Sequence, residues 1–168
     1  MKKVAPPAHA FPGALEHIIV LRHEECTKAS ITPNGQTRLG NRARNLVERD
    51  IVKQDGTGVI SSHDISAVES LRFFIQSIGL LINRSARNAV FEELFSSFER
   101  CDVEAAFDVV SRFVGLRTLV VFTHKGLATE LPYRIGKALD MVVTVPSPLW
   151  GHGVHFDVLH RRTTFLGA

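Results

Sequence analysis

The stretch His17-Ile18-Ile19-Val20-Leu21-Arg22-His23-Glu24-Glu25 decides how the rest of the chain is read. After His17 it is continuously apolar and rich in β-branched side chains, which suits a strand buried on both faces of a parallel sheet. Within one residue it then turns charged, at Arg22. In open α/β sheets ligands bind outside the carboxyl ends of the strands. A dry strand with Arg22-His23 at its end therefore marks a candidate ligand rim.

Working outward, the same alternation of buried strand and amphipathic helix recurs. Toward the N-terminus, residues 1–13 are rich in Pro and Ala and read as a flexible arm, leaving 14–168 as a single domain. Downstream, Ser30 to Gly35 reads as a turn, with Thr32 as N-cap and Pro33 at the first helical position. The following helix is predicted to run to about Glu48, with Leu39, Ala43, Leu46 and Val47 on one side. Val59-Ile60-Ser61-Ser62 is the next strand, and Asp64 to Gly79 carries Val68, Leu71, Phe74, Ile75 and Ile78 at helical spacing. Ala89-Val90-Phe91 is a shorter strand candidate. Val103 to Val114 is amphipathic and is predicted to stop at Gly115 as a C-cap. Thr118 to Thr123 is the strongest strand signal, and the helix after it, Gly126 to Leu139, accommodates Pro132 by a kink or a late start. Val154 to Leu159 alternates and pairs with Thr163 to Leu166 as a hairpin. The expected fold class is a three-layer α/β/α domain with a mostly parallel central sheet, helices on both faces and a C-terminal hairpin.

Composition narrows the function classes. The chain has 168 residues, 45% hydrophobic and 22% charged, as in an ordinary globular domain. No apolar run approaches the roughly 20 residues that span a bilayer. Pro6, Pro7 and Pro12 stand where a signal peptide would be apolar, so a cytoplasmic protein with no membrane partner is expected. Cys26 and Cys101 are too few for a disulfide framework or a zinc site, and no metal or cofactor is expected. A net charge of +3 suits an anionic substrate without demanding nucleic acid. Arg42, Arg44 and Arg49 lack interleaved aromatics and read as a solvated helix face. Oligomeric state is not legible.

The strand ends gather the chemistry: Arg22, His23, Glu24 and Glu25 after the first; Ser61, Ser62, His63 and Asp64 after the second; Glu92 and Glu93 after the third; His124 and Lys125 after the strong one. Helices opening near Asp64 and Lys125 add positive dipole ends. The sum is an anion pocket with titratable groups, and phosphate is its natural occupant. Cys26 reads as a small packed residue, and Trp150, His152 and His155 as hairpin packing or surface, with a substrate mouth as the alternative.

From His17 to Leu166 this arrangement resembles the histidine phosphatase superfamily, the phosphoglycerate-mutase-like fold. The resemblance rests on Leu21-Arg22-His23, on Ile31-Thr32-Pro33-Asn34-Gly35, on Ser61-Ser62 and on Thr123-His124, in that order and spacing. The short chain looks most like the small phosphohistidine phosphatases. It implies His23 as a nucleophile that takes the phosphoryl group as a phosphohistidine, Arg22 as a two-pronged ligand, and His124 as a donor to the same oxygens. Glu93 stands where many relatives keep the general acid, with Glu25 as its competitor. The partner so implied is a phosphorylated small molecule or a phosphohistidine-bearing protein. A mutase is disfavoured because the chain carries no long insertion.

Two positions depart from that pattern. Glu24 replaces the glycine after the nucleophile, and Ser66 stands where a second clamp arginine is expected. Lys125, His63 and Arg84 are the candidate substitutes for its charge; Arg72 falls on the wrong side of its helix. Two functions follow: a metal-independent phosphatase, or a catalytically degenerate phosphate-binding or protein-interaction module.

Overall fold

The computed structural model describes residues 15–28, 30–53, 56–82, 102–113 and 115–167. Its core is a five-stranded sheet. In chain order the strands are β1 (His17–Arg22), β4 (Thr57–Ser61), β5 (Thr118–Thr123), β6 (Gly153–Asp157) and β7 (Arg162–Leu166), arranged β4-β5-β1-β6-β7. β4, β5 and β1 are mutually parallel, and β6 runs against both β1 and β7. Four strands thus share one direction, so the sheet is mixed but mostly parallel. A two-stranded ribbon, β2 (Cys26–Thr27) with β3 (Ser30–Ile31), follows β1 and was not anticipated, because two-residue strands carry no periodicity.

The helices cover both faces. Ile18 and Val20 of β1 join Leu119 and Val121 under α3 (Val103–Ser111) and α4 (Lys125–Leu139). Ile19 and Leu21 join Val120 and Phe122 under α1 (Pro33–Glu48) and α2 (Ile65–Ile82). All four apolar residues of β1 are fully buried, each worth about 1.5–3 kcal/mol relative to exposure. β1 therefore cannot slide, and the residues at its end are held in place. By length and composition α2 would suffice to cross a membrane. Here Ala67, Leu71, Phe74 and Ile78 turn it onto the sheet.

The caps behave as local chemistry dictates. Thr32 Oγ1 accepts from Gly35 N–H at 3.2 Å with Pro33 leading α1, and Asp102 accepts from the amides of Glu104 and Ala105 at 3.0 Å. Three expectations are corrected. α3 ends at Ser111 with Arg112 as its C-cap, while Gly115, at φ 77°, turns the chain toward β5. α4 starts at Lys125 and runs through Pro132. The lost N–H of Pro132 is offset by burying its ring beside Leu131 and Ile135. β4 begins two residues before Val59, at Thr57. The strand candidate at Ala89-Val90-Phe91 lies outside the described residues.

Candidate active site

The register brings the candidate residues to one edge. Arg22 pairs with Thr123, and Ser61 with Phe122, so β1, β4 and β5 end level with one another. Backbone hydrogen bonds carry the alignment past the strands. His23 N–H donates to Thr123 O at 2.8 Å and Ser62 N–H to Phe122 O at 2.9 Å. Arg22 N–H donates to His152 O at 2.8 Å, and Gly151 N–H reaches the carbonyls of Arg22 and His23 at 3.1 and 3.3 Å. Arg22, His23, Ser62, Thr123 and His124 therefore stand at adjacent strand ends, bordered by the segment before β6.

The His23 ring is oriented by its own backbone. Nδ1 lies 2.8 Å from Glu24 O. A carbonyl oxygen only accepts, so Nδ1 carries a proton, and in the neutral ring Nε2 keeps its lone pair. Arg22 is anchored by Nη1–H donating to Pro148 O at 2.9 Å and by the Trp150 ring, 5.3 Å from its guanidinium carbon. Burial draws its pKa below the ordinary arginine value. Among the described residues, Arg22 Nε, Ser61 Oγ, Ser62 Oγ and Thr123 Oγ1 are buried polar atoms without a hydrogen-bond partner. Such atoms are rare in a packed interior and here they cluster at the strand ends.

Glu24 does not behave as a bulky intruder beside an anion. Its side chain is 1% exposed, and Oε2 accepts from Arg38 Nε and Nη2 at 3.1 and 2.7 Å. Two glycines leave room for it. A Cβ on Gly151 would lie 2.0 Å from Glu24 Oε1, and one on Gly35 would lie 3.3 Å from Oε2. Its amide donates to Ser70 Oγ at 2.9 Å, which in turn donates to Ser66 O at 2.8 Å. Arg38 was missed by the sequence reading. Its only local signal is a cationic side chain six residues after the N-cap, on a helix whose other arginines read as surface.

Ser66 lies in the first turn of α2, where Asp64 Oδ1 accepts from its amide at 2.9 Å. Its side chain hydrogen-bonds to the Cys26 thiol, partly offsetting the burial that raises that thiol's pKa. Cys26 is thus a packed thiol, as its sequence context suggested. Lys125 opens α4 and is exposed, as is His63. Glu93 and Arg84 lie outside the described residues. His155 belongs to neither a mouth nor the surface. It is 3% exposed in β6, and its Nε2 is 3.1 Å from His17 Nδ1. The expected solvated face of α1 is also corrected at Arg42, whose Nη2 donates to Leu166 O and Gly167 O at 3.4 and 2.8 Å.

No protein-family model matches the sequence, and no curated protein matches it. Solved structures do. A chain assigned as the phosphohistidine phosphatase SixA of Agrobacterium tumefaciens superposes with TM-score 0.52 at 11% identity, over 85% of this chain and 92% of that one. The native structure of a mycobacterial glucosyl-3-phosphoglycerate phosphatase gives TM-score 0.50 at 16% identity, over 89% of this chain and 96% of that one.

Proposed function

This chain has the histidine phosphatase fold, and from that premise we propose that it is a phosphatase acting through His23. The observation that carries the reading is the 2.8 Å contact between His23 Nδ1 and Glu24 O. It assigns a proton to Nδ1, so that in the neutral ring Nε2 is the nitrogen free to attack at the end of β1. In the first step Nε2 attacks phosphorus. The N–P bond forms, the bond to the leaving atom breaks, and the leaving group departs with the electron pair and picks up a proton. In the second step water attacks the phosphohistidine, the P–N bond breaks, the water's proton is released and neutral His23 returns. Splitting the transfer in two lowers each barrier.

The remaining residues suit the phosphoryl oxygens. Arg22 Nε, Ser62 Oγ and Thr123 Oγ1 offer buried donors, His124 stands beside them at the end of β5, and α4 opens its N-terminus at the same edge. The substrate is a phosphohistidine-bearing protein or a small phosphomonoester. Phosphohistidine needs no strong acid to leave, because its imidazole is a good leaving group.

The test is turnover of an aryl phosphate and of a phosphohistidine-bearing protein by wild type and His23→Ala. The expected result is loss of at least about a thousandfold in kcat, with an acid-labile phosphoryl group trapped on wild type alone. Equal rates in the two proteins would sink the enzymatic reading.

A second reading, phosphate binding without turnover, is favoured by Ser66. It supplies a hydroxyl and no charge where a clamp arginine is expected. Calorimetry with phosphate and vanadate separates the two: binding with no turnover selects this reading, and no binding of either anion excludes both.

A further inference from the structure

The outer side of α1 carries a second basic site. Arg38, Asn41, Arg42 and Asn45 recur at helical spacing and, with Trp150 and His152, line a cavity of about 290 Å³. Arg42 is its distinctive member. Its guanidinium is desolvated enough that burial lowers its pKa. Among the described residues it forms no ion pair, and its hydrogen bonds are to the neutral carbonyls of Leu166 and Gly167. A partly buried cation held by neutral carbonyls is left with charge that an anion would complete. Arg38 adds a second cation, but it is already matched by Glu24. The imidazole of His152 registers the excess of positive charge. Burial lowers its pKa first, and Arg42, Arg38 and Arg22 all push the same way against Glu24 alone.

The other lining groups select the rest of the ligand. Trp150 is 41% exposed, so part of its indole is available for stacking, which is worth about 1–3 kcal/mol for a nucleobase. Asn41 and Asn45 are exposed on α1, and each amide offers paired donor and acceptor groups that match a base edge.

We propose that this cavity is a binding site for a nucleoside monophosphate, with the phosphate on Arg42 and the base against Trp150. It borders the strand-end rim through Trp150, which also lies against Arg22, but it does not depend on His23 turning over any substrate. Trp150 is the sole tryptophan, so its fluorescence reports directly on occupancy.

The experiment titrates AMP, adenosine and inorganic phosphate into the full chain, following Trp150 emission and heat. It is repeated on the double variant Asn41→Asp/Asn45→Asp, which places two carboxylates in the cavity. Both positions are exposed and Arg42's bonds to the chain end are left alone, so the fold is kept; an unchanged urea midpoint verifies this. The expected result is saturable AMP binding with a change in Trp150 emission, weaker by roughly tenfold or more in the variant, and inorganic phosphate, which has no base to stack, binding wild type more weakly than AMP. Any of three outcomes overturns the proposal. These are no AMP binding at millimolar concentration, equal AMP affinity in the two proteins, or adenosine binding as tightly as AMP. Inorganic phosphate binding wild type as tightly as AMP would also overturn the nucleotide assignment, since the base would then contribute nothing.

Discussion

Glu24 and Arg38 form a forked ion pair behind His23, with Oε2 held at 3.1 and 2.7 Å by Nε and Nη2. The carboxylate is buried and the arginine is partly open to solvent, with side chains 1% and 36% exposed. The carbonyl of Glu24 orients His23 while its carboxylate is fastened to α1. The pair thus ties the first helix to the end of β1.

Replacing Arg38 by Met leaves a buried carboxylate without its cation. Breaking a fully buried pair costs about 3–5 kcal/mol. Solvent access at Arg38 lowers the expected loss to about 1–3 kcal/mol. Urea denaturation reads this as a lower midpoint at unchanged slope. In a double-mutant cycle, Glu24→Gly should recover part of the loss; strict additivity of the two substitutions would refute the coupling.

Gly151→Ala attacks the same pair from the opposite side. The added Cβ would fall 2.0 Å from Glu24 Oε1, and the backbone there has φ 70°. Both the clash and the left-handed conformation oppose it, for an expected cost of about 2–4 kcal/mol. For a chain of this size that lowers the thermal midpoint by roughly 5–15 °C. A variant melting with wild type would show that Glu24 is not confined as described.

Ser66→Arg supplies the charge that the second strand end lacks. One charge-assisted contact to a phosphoryl oxygen is worth about 1.5–3 kcal/mol. The expected gain is therefore tenfold or more in kcat/KM on an aryl phosphate, or in vanadate affinity if turnover is absent. No change in either would place residue 66 away from the phosphoryl oxygens.

The His17–His155 pair predicts acid sensitivity. An N···N hydrogen bond between imidazoles requires at least one unprotonated nitrogen, and burial first, then neighbouring positive charge, lowers the pKa of His155 to about 4. The folded value lies below the unfolded 6.5, so the unfolded chain binds the extra proton between those limits. Stability is complete above about pH 6.5 and is lost as pH falls toward 4, by roughly 3 kcal/mol in all. Urea midpoints measured from pH 7.5 to 4.5 should fall steeply for wild type and less steeply for His155→Gln. Parallel slopes would show that another group carries the acid response.

Much of this protein was legible before any coordinates. The dry run from Ile18 to Leu21, the switch to Arg22-His23, the Thr32 cap and the apolar strand ending at Thr123-His124 are local patterns. They state which residues form strands and which residues stand at strand ends. Where the reading failed, the cause was also local. Pro132 reads as a kink or a late start in its helix because its cost is intrinsic, whereas the burial that lets α4 start at Lys125 and run through it is tertiary. His155 reads as hairpin packing or surface without a named partner, because that partner, His17, is 138 residues away.

The sequence by itself thus determined the fold class and the Arg22, His23 and His124 edge, since hydrophobic periodicity and strand-end placement depend on near neighbours. Only the tertiary structure decided that Glu24 turns to Arg38 and that Gly151 makes room for it. It also decided that Trp150 lies against Arg22 and that Arg42 reaches the carbonyls of Leu166 and Gly167 beside a cavity. Those contacts join residues far apart in sequence. They exist only because the order β4-β5-β1-β6-β7 sets the start of β6 beside the end of β1, and no local pattern encodes that order.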